Sequence, residues 1–253
     1  MTHKETRAAA SALTAIGFDA DDTLWPHEDF YREAEERLLS RLADYGQPQE
    51  LTLKLLAVER RNLPVYGFGV KAFTLSMIEM AIEASGGRVP AGLIGEILAA
   101  GRELLRHPIE VFPHVRETLS KLAGAYRLIL ITKGDLFDQE RKLEESSLAD
   151  FFDAVEIVSD KNVATYRRVF SRHADGPERA MMVGNSLKSD VIPAIEAGGW
   201  GVHVPHTALW AMEHAEPPLS EPRFRRLAHL GELVDLLAGV ESMAADRSDF
   251  TDS

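Results

Sequence analysis

From residue 127 onward the chain keeps a rhythm that leaves few folds open. Short aliphatic and β-branched runs, Arg127–Thr132, Ala154–Val158, Ala180–Gly184 and Trp200–Val204, each end at a polar or glycine signal. Between them, Gln139–Leu148, Tyr166–His173 and Val191–Ala197 carry apolar residues at helical spacing. Strands alternating with helices predict right-handed βαβ crossovers and a parallel sheet covered on both faces. Ligand sites in such sheets lie beyond the carboxyl ends of the strands.

A fifth run, Thr14–Asp19, stands far upstream and breaks the rhythm. Most of the chain after it reads as helix. Tyr31–Tyr45 places Ala34, Leu38, Leu39 and Leu42 on one stripe, and Phe73–Ala84 and Leu93–Leu105 are similar, with Ser85-Gly86-Gly87 and Pro90 as breakers. The expected fold is therefore α/β: a Rossmann-like parallel sheet core in three α/β/α layers with an inserted all-helical unit. The core would be discontinuous, 1–24 and 112–240; the insert would span 25–111, and the polar stretch 241–253 would fray as a disordered tail.

Composition narrows the function. Forty acidic against 28 basic residues give a net charge of −12 over 253 residues, which argues against a general nucleic-acid binder. The absence of cysteine excludes disulfide scaffolds, thiolate zinc sites and cysteine nucleophiles, and it fits a cytoplasmic protein. No run approaches the roughly 20 apolar residues of a membrane span, and the start lacks the apolar region of a signal peptide, so no membrane partner is expected. Monomer and homodimer are not distinguished.

Chemistry concentrates where the strands end. Gly17-Phe18-Asp19-Ala20-Asp21-Asp22-Thr23-Leu24-Trp25 crowds three acids that repel one another unless a cation or protons offset them. The plainer reading is a solvated loop in which Asp22 or Thr23 caps the next helix. Strand 127–132 ends in Thr132-Lys133-Gly134, a hydroxyl, a cation and free amides that suit phosphate oxygens, or simply a turn into a helix. Lys161 follows Ala154–Val158, the third strand of the core, where it could neutralise a phosphate. Gly184-Asn185-Ser186-Leu187-Lys188-Ser189-Asp190 offers oxygen ligands for a hard cation; Leu187 stands where a P-loop needs its second glycine, so a kinase or ATPase reading fails.

In the order Asp-x-Asp, Thr, Lys, Asp, each at the end of a successive βα unit, these features resemble the haloacid dehalogenase superfamily of hydrolases. The resemblance covers about 19–24 and 112–204, including Gln139-x-x-Lys142-Leu143 and Phe151-Phe152-Asp153. It implies that the helical insert is a mobile cap. It implies a phosphatase in which Asp19 is the nucleophile, forming an aspartyl-phosphate, and Asp21 the general acid and base. Ala20, Thr132, Lys133 and Lys161 would hold the phosphate; Asp19, the Asp21 carbonyl, Asn185 and Asp190 would hold Mg2+. The substrate would be a small phosphorylated metabolite. Haloacid dehalogenases proper lack a carboxylate at the position of Asp21, which favours phosphate esters over a 2-haloacid. A sugar-phosphate mutase shares the same core residues, and a non-catalytic binding protein on this fold is favoured by Asn185 alone. A signalling receiver domain does not fit the motif order.

Two departures from the family pattern stand out. Asn185 replaces an acid, which weakens metal affinity, and it lies five positions before Asp190 where four is also common; the Lys161 loop lacks the proline that often follows this lysine. Trp25, His27 and Arg61 are further candidates for contact with substrate, with hinge packing or a solvated helix face as the alternatives. Arg61 flanks an apparently turn-rich stretch, Asn62–Gly69. Arg223-Phe224-Arg225-Arg226 reads as a small solvated or paired basic patch.

Overall fold

The computed structural model describes residues 13–239. The residues of the expected tail, 241–253, lie outside that range.

The rhythm becomes a six-stranded, all-parallel sheet: β1 (Ala15–Phe18), β2 (Arg127–Lys133), β3 (Ala154–Val158), β4 (Ala180–Gly184), β5 (Trp200–His203) and β6 (Phe224–Arg226), in the order β3-β2-β1-β4-β5-β6. The chain steps outward from β1 to β3, then returns to lay β4 beside β1. Reversing direction with right-handed crossovers puts later helices on the opposite face. Alternate residues therefore serve two cores. Ile16, Phe18, Leu128, Leu130, Met181 and Val183 pack on one side with Val115 and Leu119 of α5 (Val115–Leu122). Leu143 of α6 (Leu136–Ser146) joins the same side. Ala15, Ile129, Ile131, Ala180 and Met182 face α7 (Val163–His173), through Tyr166, Val169 and Phe170, and α8 (Ile192–Glu196), through Ala194.

Four helices separate β1 from α5: α1 (Glu28–Arg41), α2 (Pro48–Tyr66), α3 (Val70–Ala84) and α4 (Ala91–Arg106). Their apolar stripes close on each other as a distinct cluster that includes Leu38, Leu42, Leu55, Met77, Met80 and Ile97. At Gly101 a Cβ would lie 2.3 Å from Thr74 Oγ1, so α3 and α4 touch there only because the side chain is missing.

One local expectation is corrected. Asn62–Gly69 is not turn-rich, because α2 runs through Asn62 and Pro64 to Tyr66, held by burial of Leu51, Leu55, Val58 and Asn62. Tertiary packing overrides the proline, which falls in the last turn of the helix. The basic stretch at 223–226 is paired, as one of its two readings had it, and Phe224–Arg226 within it form β6, an edge whose charges discourage further pairing. Arg225 lies over the Trp200 ring at 5.0 Å, and Arg223 donates to the Gly198 carbonyl.

Among the described residues no helix is long and apolar enough to cross a membrane.

Candidate active site

A cavity of about 340 Å³ opens where the sheet order reverses, over the ends of β1 and β4. Its floor holds Asp19, Asp21, Thr132, Lys161, Asn185 and Asp190; its roof is built from α1, α2 and α3 of the insert.

The loop after β1 sorts its three acids into different tasks. Asp19 is fixed by its amide, which donates to the Val183 carbonyl at 2.9 Å. The chain then closes on itself, with Thr23 N and Leu24 N donating to the buried Ala20 carbonyl at 3.2 and 2.8 Å. Asp22 takes the left-handed conformation, φ 60°, and its carboxylate accepts the amides of His27 at 2.8 Å and Glu28 at 3.1 Å. It therefore anchors the start of α1, as the plainer reading of the loop allowed. Burial, then the neighbouring Asp21 charge, pushes its carboxyl up to about 7.

Asp19 is braced from both sides. Thr23 Oγ1 donates to Oδ2 at 3.0 Å and itself accepts the Asn185 amide at 3.0 Å, which ties the β1 loop to the β4 loop. Lys161 Nζ donates to Asp19 Oδ1 and, at 2.7 Å, to Asp190 Oδ1. Burial and the Asp190 charge push the Asp19 carboxyl up while Lys161 opposes them. Burial alone would lower the Lys161 ammonium; the two carboxylates overcome it and hold the charge firmly.

Asp190 depends on an irregular turn. Leu187–Val191 form a π-helical turn, in which the Ile192 amide reaches back to the Leu187 carbonyl. The wider turn absorbs the extra residue between Asn185 and Asp190 and still delivers the carboxylate to the strand end. Ser186 N donates to Asp190 Oδ2 at 2.9 Å, and a Cβ on Gly184 would sit 2.3 Å from that oxygen. Only glycine admits it.

Asp21 is caged. Trp25 Nε1 donates to Oδ1 at 2.7 Å, Gln139 Nε2 to Oδ2 at 2.9 Å, and Lys142 Nζ reaches both oxygens at 3.1 Å. Burial alone would raise this carboxyl; His27, Lys142 and the two hydrogen bonds reverse it and hold it well below the usual carboxylate range. His27 is itself pushed down to about 4, by burial first.

The donors available to a cation are all hard oxygens: the Asp19 and Asp190 carboxylates, the Asn185 amide oxygen and the Asp21 main-chain carbonyl. Among the described residues no three of His, Cys, Asp and Glu are grouped to hold a metal by themselves, as expected where an asparagine and a carbonyl complete the set. Two buried carboxylates against one lysine leave a negative balance, so the donor chemistry fits Mg2+.

The chain matches the haloacid dehalogenase-like hydrolases over residues 13–198. It belongs to that family. It is 29% identical over 198 residues to a glyceraldehyde 3-phosphate phosphatase of Methanothermobacter thermautotrophicus, covering 74% of this chain and 83% of the relative. It is 26% identical to the pyrimidine 5'-nucleotidase YjjG of Escherichia coli, covering 72% and 82%. Among solved structures, a haloacid dehalogenase-like family hydrolase from Xanthomonas campestris is 43% identical over 93% of this chain and 95% of its own, with a TM-score of 0.82. The magnesium-bound hydrolase YfnB of Bacillus subtilis, at 16% identity over 90% and 99% with a TM-score of 0.60, shares the fold.

Within the cavity, the sequence candidates separate. Thr132 lines the cavity, with its hydroxyl donating to Gln139 Oε1 at 3.3 Å. Lys133 also lines it, but its ammonium is taken by Glu213 at 2.5 Å and Ser189 at 2.9 Å, so its amide is the part left for an anion. His27 faces the cavity beside Asp21, at 3.5 Å. Trp25 does not line the entrance: it is fully buried and serves Asp21 through its indole N–H. Arg61 is not brought to the cleft, because it pairs with Glu79 and Glu83 on the exposed face of α2 and α3.

Sequence reasoning passed over the roles of Gln139, Lys142 and Glu213. Gln139 and Lys142 sit three apart, on one face of α6, a spacing that could have flagged them. Glu213 accepts from Lys133, Ser186 and Ser189 with nothing in its own neighbourhood of sequence to announce it.

Proposed function

We propose that the chain is a Mg2+-dependent phosphatase acting on a small phosphorylated metabolite through an aspartyl-phosphate. The observation that carries this reading is Asp19: a carboxylate at the switch point of the sheet, aligned by Thr23 and flanked by Lys161, with a second carboxylate, Asp21, held beside it. The printed activities of the phosphatase and nucleotidase relatives support the same class.

In the first step an Asp19 carboxylate oxygen attacks phosphorus and the ester P–O bond breaks. Asp21 takes the proton of the bound ester monoanion and passes it to the leaving oxygen. In the second step Asp21, now ionised, takes a proton from water as that water attacks phosphorus; the Asp19–phosphate bond breaks, releasing orthophosphate and the free carboxylate. The Asp21 cage fixes the carboxylate for both steps, and in the unliganded structure it favours the ionised form that the second step requires. Lys161, the Thr132 hydroxyl and the amides near Ala20 and Lys133 would hold the phosphoryl oxygens where charge develops. Asp19, the Asp21 carbonyl, Asp190 and Asn185 would hold Mg2+, which when bound offsets charge repulsion between nucleophile and phosphate. The helical insert, as a domain spanning 25–111, would close over the ester.

Phosphate release from a panel of monoesters, with and without Mg2+, tests the assignment. Asp19→Asn should lower kcat by at least about 1,000-fold, because the nucleophile is removed rather than repositioned. Hydrolysis that survives in this variant overturns the nucleophile. Halide release from 2-haloacids without metal would instead make the chain a dehalogenase.

A further inference from the structure

The roof of the cavity carries a charge pattern that the phosphate chemistry does not use. Glu28 and Glu35 of α1 and Glu59 of α2 all line it, half-buried. Burial, then the Asp22 and Glu59 charges, pushes Glu28 up to about 8 against Arg32. Burial and Glu35 push Glu59 up to about 7 against the Trp210 hydrogen bond. Burial also raises Glu35, with Glu36 adding and Thr52 and Arg32 opposing. The cation lining this end is Arg32, which is largely exposed and sits 3.9 Å from Asp29. Lys133 and Lys161, at the floor, are already committed to Glu213, Asp19 and Asp190.

Aromatic groups complete the roof. Trp210 reaches over from the loop after β5, donates its indole N–H to Glu59 at 3.1 Å, and meets the Phe68 ring edge-on at 6.2 Å. Tyr31 lines the cavity between the floor and these acids, and its hydroxyl is buried with no hydrogen-bond partner among the described residues. Its surrounding charges are Asp21 and Asp138 on one side and Glu28 and Glu59 on the other. Among the described residues no lysine or arginine is in direct contact with these three acids, and an unpartnered hydroxyl, the acids and the aromatic rings in one pocket make an environment suited to a cation that can also donate hydrogen bonds.

We infer that the leaving group of the substrate carries a cationic amine, bound by Glu28, Glu35 and Glu59 against the Tyr31 and Trp210 rings, while the Phe68 ring is covered by the Lys133 ammonium at 4.1 Å. The substrate class is then an aminoalkyl phosphate monoester, with its anionic end on the floor and its ammonium in the roof. Esters with a second anionic group would meet like charge at the roof. This inference rests on the phosphatase reading of the floor, and it adds the chemistry of the leaving group.

The test compares three monoesters of similar size on the holoenzyme with Mg2+ at pH 8: 2-aminoethyl phosphate, the neutral 2-hydroxyethyl phosphate, and phosphoglycolate. Across the set, kcat/KM should fall in that order, with at least about 100-fold between amine and carboxylate, since opposed and matched charges in a desolvated site differ by several kcal/mol. Glu59→Gln and Glu28→Gln should each cut the amine-to-carboxylate ratio by about tenfold. Because both esters are read on one preparation, partial unfolding of a variant cancels from the ratio. Hydrolysis of all three esters with the carboxylate or neutral ester preferred overturns the amine pocket and leaves the phosphatase standing. So does a ratio unchanged in both variants. Failure to release phosphate from any ester overturns both readings together.

Discussion

The two ends of one cavity manage their acids in opposite ways. At the floor each of the three carboxylates is held by a direct contact with a lysine: Asp19 has Thr23 and shares Lys161 with Asp190, which also accepts the Ser186 amide, and Asp21 has Trp25, Gln139 and Lys142. Among the described residues no lysine or arginine is in direct contact with Glu28, Glu35 or Glu59 at the roof: Glu59 has the Trp210 N–H, and Arg32 acts on Glu28 and Glu35 only at longer range. Buried charges in direct contact fix geometry before substrate arrives, whereas acids without such contact leave free energy to be gained from what binds. The contrast separates residues committed to the reaction from residues that select its substrate.

The contrast can be broken most forcefully at Lys142. This side chain is 4% exposed and serves both Asp21 and Asp138, itself 2% exposed, so Lys142→Met takes the shared ammonium from two carboxylates and leaves Asp138 with Arg141 and Asp21 with Trp25 and Gln139. We expect a loss of about 3–5 kcal/mol in urea unfolding, as for other buried pairs broken on one side. A loss below 1 kcal/mol, within the range typical of surface pairs, would show that the floor is not pre-paired.

Asn185→Asp sharpens the comparison at the floor. A third carboxylate among the oxygens at the Asp19 and Asp190 end should tighten Mg2+ by about tenfold, roughly 1.4 kcal/mol, measured by titration calorimetry. Unchanged or weaker affinity would remove Asn185 from the cation site.

Glu28→Gln probes the roof and has the smallest expected effect. With its folded pKa raised from 4.5 to about 8, Glu28 holds a proton in the folded chain that the unfolded chain releases. Stability is therefore full below the unfolded value and declines as pH rises between 4.5 and about 8. The variant should melt about 2–4 °C above wild type at pH 8.5 and within about 1 °C of it at pH 4.5. A larger gain at pH 4.5 than at pH 8.5 would refute a strained roof.

Much of this was legible in the residues themselves. Ala180–Gly184 coincides with an observed strand because a strand buried on both faces must be apolar along its whole length, and Ala154–Val158 coincides with one through its β-branched residues although it lies half-exposed at the sheet edge. The short, charged β6 was not legible, since three residues at an edge carry no periodicity. Helix α2 was missed in part because its proline and asparagine read locally as a turn, although its apolar face is satisfied by the other helices of the insert.

By itself the sequence determined the parallel sheet, the place of the interruption, and the order of acid, hydroxyl, lysine and acid at successive strand ends. These depend on local pattern and on spacing along the chain. The tertiary structure alone decided which neighbours tune those groups. Gln139 and Lys142 reach Asp21 from more than a hundred residues away, Trp210 reaches Glu59 from a sequence distance of 151, and Arg61 turns outward to Glu79 and Glu83. Such partners are chosen by crossover handedness and helix packing, which no local stretch of sequence encodes, and charge at close range acts through space rather than along the chain.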